Sequence, residues 1–274
     1  MLITEIGNFA SGDEALYLAA ARRIIGFGHD VTFLHRVDQS RALAAAGLSV
    51  RQIPFQLLYQ GAHPRSLDAL VDGFLRDEPA AFRALSRIVR EHDVVAIAPG
   101  GRFVDGYRNF RTMLTAALAL RLGRPVIQLH QSFGPVSDEH ERSCLRELLS
   151  RSRLVLVRDV RSMEFLRAIG VDGARVHEVR DAVFAETYPC QRRTRYRVGL
   201  NLRTGFNGHV TPEGVDACLR VLVREVPASD ILVFSTTFRV ADDVAAVAAR
   251  YGCAVEPDLA VYPDYLALPA ACDV

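Results

Sequence analysis

The chain has 274 residues, is 50% hydrophobic and carries 33 basic against 32 acidic side chains. That length and apolar content suffice for one large core or two of ordinary size, and the balanced charge excludes a protein that coats nucleic acid or another polyanion. Every one of the 33 cations is Arg, so any phosphate or carboxylate site must be built from guanidinium forks and backbone amides.

In chain order, short β-rich runs alternate with longer amphipathic ones. Strands are expected at Leu2–Ile6, Val31–His35, Ser49–Ile53, Val94–Ala98, Val126–His130, Leu154–Val157 and Arg175–Val179. Helices are expected between them at Gly12–Phe27, Gln39–Ala46, Leu67–Glu91, Tyr107–Leu122, Asp138–Arg151 and Val160–Ile169. Strands that are apolar throughout, each followed by a helix, imply a parallel sheet covered on both faces. The segment Ala185–Arg197 is polar, basic and aperiodic, and reads as a linker. Beyond it the alternation restarts, with strands at Val198–Leu202, Ile231–Ser235 and Cys253–Val255. Its helices are expected at Pro212–Val226, Ala241–Tyr251 and Tyr262–Ala270. Thr211 before Pro212 is a helix-start signal.

The expected fold class is therefore α/β, with two Rossmann-like doubly wound domains. The first spans 1–185, the linker 186–197 and the second 198–274. The second offers only about three strands, and Cys272-Asp273-Val274 reads as the opening of another. It is expected to be incomplete, with the chain a C-terminally truncated piece or its sheet completed by a partner. Five scattered cysteines (Cys144, Cys190, Cys218, Cys253, Cys272) show no Cys-x-x-Cys pair and no His at ligand spacing, so reduced thiols and no metal site are expected. No basic-then-apolar leader opens the chain and no apolar run approaches the roughly 18 residues of a membrane span, so a soluble cytoplasmic protein is expected.

In an open parallel sheet, ligands gather where strand ends meet helix starts. The first such loop, Gly7-Asn8-Phe9-Ala10-Ser11-Gly12-Asp13-Glu14, has two readings that one loop can combine. Asn8 and Ser11 could hold a ligand hydroxyl while Asp13 accepts its proton; equally, Ser11 with Glu14 forms a capping box. Gly100 and Gly101 follow an apolar strand and would bring backbone amides near a ligand, though Pro-Gly-Gly is also ordinary turn chemistry. Gln131-Ser132-Phe133-Gly134-Pro135 follows a strand exit. Arg158 stands beside a helix start, suited to clamping an anion, with a surface Arg158–Asp159 pair as the bland alternative. Asp181-Ala182-Val183-Phe184 closes the first half, and Asn201-Leu202-Arg203 ends the first strand of the second. Among the histidines only His130, beside Gln131, has a motif context.

The ordered series GNxxxGDEA, PGGxxxD, QSFGP, VRDxxSxxFLxxxG, DxVF and a strand ending NLR resembles the polysaccharide pyruvyl transferase family. The resemblance implies a GT-B-like two-domain fold, with the acceptor on the N-terminal side and the donor on the C-terminal side. It implies transfer of a pyruvyl ketal group from phosphoenolpyruvate to two sugar hydroxyls, with phosphate released and no cofactor needed. Arg158 and Asp13 then become the candidate catalytic residues; Asn8, Ser11, Gly12, Gly100, Gly101, Gln131, Asn201 and Arg203 become candidate substrate-binding residues. The partners implied are phosphoenolpyruvate and a sugar, oligosaccharide or lipid-linked glycan of exopolysaccharide or cell-envelope biosynthesis, with peripheral contact at the inner membrane surface left open. Family members continue past the point matching Asp273 to an Arg-Leu-His motif that helps bind the donor, and no residue here matches it. The alternatives are a GT-B-type glycosyltransferase using a sugar nucleotide and a truncated, non-catalytic binding homologue. A dinucleotide-dependent oxidoreductase lacks its GxGxxG after the first strand.

Overall fold

The structure is a computed structural model that describes residues 1–6, 11–55, 63–107, 109–171, 173–185, 196–201, 211–234 and 242–255. By contacts the chain divides into two compact units. One comprises Met1–Asn8, Leu16–Gln39 and Ser49–Glu186, and the other Phe9–Ala15, Ser40–Leu48 and Thr187–Val274.

The larger sheet is wholly parallel. Chain order gives β1 (Leu2–Ile6), α1 (Ser11–Gly26), β2 (Thr32–His35), α2 (Ser40–Ala45) and β3 (Arg51–Pro54). Next come α3 (Leu67–Asp77), α4 (Pro79–Arg90), β4 (Val95–Ile97), β5 (Gly100–Phe103), α5 (Asn109–Arg121) and β6 (Val126–Phe133). They are followed by α6 (Glu139–Arg151), β7 (Leu154–Val157), α7 (Val160–Ala168) and β8 (Val176–Glu178). The strand order is β3-β2-β1-β4-β6-β7-β8, with β5 paired to β6 off that path. The chain winds outward from β1 to β3, returns to β4 beside β1, and winds the other way. This is the doubly wound arrangement, whose reversal lies between β1 and β4.

The hydrophobic sequence explains the layering. Strands β2 and β4 are buried at every residue, as strands covered on both faces must be. Helix α5 is buried over Thr112–Ala119 because α3, α4 and α6 flank it, and its small residues Ala116, Ala117 and Ala119 permit that enclosure. Cys144 on α6 joins the same core, where burial pushes its thiol up to about 12. Tyr17 of α1 meets Phe33 of β2 edge to face, with centroids 5.5 Å apart.

Three sequence expectations are corrected. The single helix over Leu67–Glu91 is two. Pro79 opens α4, and Glu78 before it (φ −135°, ψ 62°) serves as the C-cap of α3 and the N-cap of α4. A proline ring has no N–H to donate and clashes with the preceding turn, so the amphipathic period continues while the backbone breaks. Second, Gly100–Phe103, read as part of a ligand-facing loop after the preceding strand with a turn as the alternative, is itself a strand. Third, the strand expected to stop at His130 runs on to Phe133, so Gln131-Ser132-Phe133 is strand and not loop.

The second unit holds a parallel sheet of order β11-β10-β9. It contains β9 (Val198–Asn201), α8 (Pro212–Glu225), β10 (Ile231–Phe234), α9 (Asp242–Arg250) and β11 (Ala254–Val255). Thr211 caps α8, its hydroxyl accepting from the Gly214 N–H at 3.2 Å. Val215, Leu219, Ile231, Val233, Val244, Val247, Ala248 and Cys253 form its core. Residues 186–195 of the expected linker, the expected helix Tyr262–Ala270, Cys190 and Cys272 lie outside the described residues. No helix among the described residues is long and apolar enough to cross a membrane.

Candidate functional site at the carboxyl ends of β5 to β8

Strand β6 outruns its neighbours. It pairs first with β4 (Val95↔Val126 to Ile97↔Gln128) and then with β5 (Gly100↔Gln131, Phe103↔Phe133). Thus β5 continues the lane that β4 vacates. Gly100 makes the join with φ +147°, a backbone state that side-chain-bearing residues rarely adopt. Against β7 the register slips: Gln128 faces Val155 and Gln131 faces Val157, so two residues of β6 oppose one of β7. His130 lies inside this bulge with φ +42°, and its Nδ1 is 2.8 Å from the Arg180 carbonyl. A bulge re-aims the side chains beyond it, and here it leaves both Gln128 and Gln131 fully buried. Gln131 Nε2 donates to the Ala98 carbonyl.

Ser132 then meets the segment that follows β7. The Arg158 backbone N–H donates to the Gln131 carbonyl at 3.1 Å, extending the ladder by one residue. Its side chain is braced at two nitrogens: Nε donates to Ser132 Oγ at 2.8 Å, and Nη1 donates to Asp181 Oδ2 at 2.7 Å. Nη2 lies over Gly101, where a Cβ would stand 3.6 Å from it. Glycine therefore leaves that face of the guanidinium uncovered. The ion partner of Arg158 is Asp181, not its sequence neighbour Asp159.

Asp159 instead caps α7, accepting from the Ser162 N–H at 2.8 Å and from Ser132 Oγ at 2.6 Å. Burial would raise its pKa, but these hydrogen bonds, helped by the Arg158 charge, outweigh it and hold the carboxyl below its ordinary value. Ser162 Oγ in turn accepts from the Phe133 N–H at 2.8 Å. Phe133 stacks on Phe103 with centroids 5.4 Å apart, tying this polar network to the core.

Arg158, Asp159, Glu178, Val179, Arg180, Asp181 and Phe184 line a hollow of about 670 Å³. Its rim combines donors, acceptors and an aromatic ring, Phe184, that is 76% exposed. Guanidinium and carboxylate groups can bind hydroxyls and oxyanions, while a flat ring can pack against an apolar sugar face. No group of three or more His, Cys, Asp or Glu among the described residues is arranged to hold a metal ion.

Of the residues expected from sequence, the structure brings together Gly100, Gly101, Gln131 and Arg158. Ser11, Gly12 and Asp13 occupy the first turn of α1; Asp13 is half-buried, and the Ser11 side chain lies outside the described residues, as does its capping role. Asn201 is exposed at the end of β9 in the second unit. Asn8 and Arg203 lie outside the described residues. Ser132 and Asp181 lie inside named stretches without being singled out, and Asp159 is read there only as a surface partner of Arg158, because their roles depend on which strands become neighbours.

Similarity to known proteins gives the arrangement a context. The chain resembles three structures at low identity, a level that speaks to fold alone. A UDP-GlcNAc 2-epimerase from Methanocaldococcus jannaschii aligns with TM-score 0.62 and 9% identity over 100% of this chain and 77% of that one. Anabaena HepE in complex with UDP and glucose gives 0.60 and 14%, over 99% and 72%. A UDP-N-acetylglucosamine 2-epimerase from Rickettsia bellii gives 0.59 and 10%, over 99% and 72%. All share the GT-B-type, Rossmann-like architecture. No curated protein matches the chain. The model of the family described as polysaccharide pyruvyl transferase matches residues 11–248. With that span covering most of its length, the chain belongs to the polysaccharide pyruvyl transferase family.

Proposed function

We propose that the protein transfers a pyruvyl group from phosphoenolpyruvate to two hydroxyls of a sugar in a glycan or glycan precursor. The family supplies the reaction class. The observation in this chain that carries the reading is the Arg158 guanidinium, braced by Ser132 and Asp181 with Nη2 over Gly101, beside a hollow rimmed by acceptors and an exposed ring.

The chemistry proceeds in balanced steps. A proton adds to the methylene carbon of phosphoenolpyruvate, which makes C2 electrophilic. One sugar hydroxyl bonds to C2 and gives up its proton. Phosphate then leaves with the C2–O electron pair, and a second hydroxyl closes the ketal as its proton departs. The protein must supply a proton donor, a base and fixed positive charge. Arg158 takes the last role, since a planar fork binds phosphate or carboxylate in two-point fashion. Asp13 is the proposed base, Asn8, Ser11 and Gly12 the proposed acceptor ligands, and Asn201 and Arg203 the proposed donor-side groups.

The test is phosphate release from phosphoenolpyruvate with galactose, mannose and glucuronate glycosides, with the ketal detected by mass spectrometry. Phosphate and ketal are expected in equal amounts, and Arg158→Lys is expected to weaken donor binding because charge persists without the fork. A folded protein that leaves phosphoenolpyruvate intact while consuming UDP-glucose would replace this reading with a sugar-nucleotide glycosyltransferase, the chemistry suggested by the ligands of HepE.

A further inference from the structure

Arg102, on β5, is 3% exposed, and its Nε and Nη2 have no hydrogen-bond partner. Among the described residues no carboxylate forms an ion pair with it. The contrast with other partly buried arginines is sharp: Arg158 has Asp181, and Arg121 has Asp68 and Asp72. A buried lysine or histidine in such a position could shed its proton, but a guanidinium stays charged at any physiological pH. A desolvated charge without a counter-charge is among the most costly groups a fold can hold. A second unsatisfied group lies on the paired strand. Gln131, opposite Gly100 in the β5–β6 ladder and fully buried, leaves its Oε1 without a donor. Each is a buried polar group whose hydrogen bonding the fold alone does not complete.

We propose that Arg102 is an oxyanion-binding residue whose counter-charge is the phosphate or carboxylate of a small ligand. The guanidinium donates to that group from Nε and Nη2. The site itself stands on the buried, unpaired guanidinium; only the choice of phosphoenolpyruvate as its natural occupant rests on the reaction proposed above.

The experiment compares wild type with Arg102→Met and Arg102→Lys in thermal unfolding, without ligand and with inorganic phosphate, pyruvate or phosphoenolpyruvate. Methionine keeps most of the side-chain length and removes the charge. The ligand-free melting temperature of R102M is expected to equal or exceed that of wild type, because an uncompensated buried charge has gone. Its affinity for the stabilising anion is expected to fall at least tenfold. Loss confined to phosphate assigns a phosphate seat, and loss confined to pyruvate assigns a carboxylate seat. A lower ligand-free melting temperature with anion binding intact would make Arg102 a structural residue and overturn the proposal, as would a wild type that no oxyanion stabilises. If R102M does not fold, R102K decides: about tenfold weaker binding supports the site, and unchanged binding overturns it. Arg102-dependent anion binding without pyruvyl transfer would remove the reaction and keep the site.

Discussion

The Arg158–Asp181 pair offers the sharpest perturbation, because its two substitutions should move anion binding in opposite directions. Both side chains are about one-fifth exposed, 22% and 21%, with N···O at 2.7 Å. That places the pair between a surface bridge, worth roughly 0–1 kcal/mol, and a buried one, where loss of a partner costs about 3–5 kcal/mol. Asp181→Asn keeps one acceptor oxygen, for either Nη1 or the Val183 N–H, and turns its NH2 toward the other donor, so the stability cost should be roughly 1–2 kcal/mol, or on the order of 2–8 °C in melting temperature. A cycle of D181N, R158M and the double variant, followed by urea unfolding, should yield a coupling of about 1 kcal/mol. For binding, D181N leaves a positive charge uncompensated beside the hollow. With an effective dielectric of about 40 and a charge-to-anion distance of about 8 Å, the anion gains roughly 1 kcal/mol, or about fivefold tighter binding. R158M should weaken it. Phosphate titration by calorimetry reads both. A D181N protein that binds phosphate more weakly than wild type would refute the view of Asp181 as a neutralising partner.

Two further outcomes follow from the geometry. Gly134 has φ +74°, and a Cβ there would stand 2.5–2.8 Å from three ring carbons of Phe165. Gly134→Ala should therefore cost roughly 2–5 kcal/mol, the sum of a left-handed backbone and an overlap. In a Phe165→Ala background the penalty should shrink to about 1–2 kcal/mol, and an equal penalty in both backgrounds would contradict the clash. Asp159 has a depressed carboxyl pKa. Its contribution is present above the unfolded value of about 3.9 and is lost as pH falls through the folded value. The stability gap between wild type and Asp159→Asn should shrink between about pH 5 and pH 3 in denaturant midpoints, whereas a constant gap would mean that the ionised cap contributes nothing.

Local sequence foretold what local forces decide. Strands β1, β4 and β7 fall within a residue of their expected bounds because each is built mainly on Leu, Ile and Val. Thr211-Pro212 carried its helix start openly. The break at Pro79 was also written in the chain, but the apolar period runs through both α3 and α4 and masks it. Strand β5 was not legible, since Gly100-Gly101 suits a turn equally well; it becomes a strand only because β4 ends and β6 continues. Nothing near His130 signals a positive φ, so the bulge that buries Gln131 was hidden. Arg158 could be read as a strand-end cation, yet its partner Asp181 lies 23 residues away and meets it only through the pairing of β7 with β8.

The β5–β6 extension has one more consequence. The platform under the guanidinium is ladder, held by main-chain pairing and anchored through the Phe103–Phe133 stack, and not a loop awaiting a visitor. The entropy of fixing it is spent when the chain folds, so a substrate of the proposed reaction would find Gly101 and Ser132 already in position and surrender less of its binding energy to ordering them. Selectivity of the proposed reaction could then be altered from the surrounding turns without disturbing the ladder beneath.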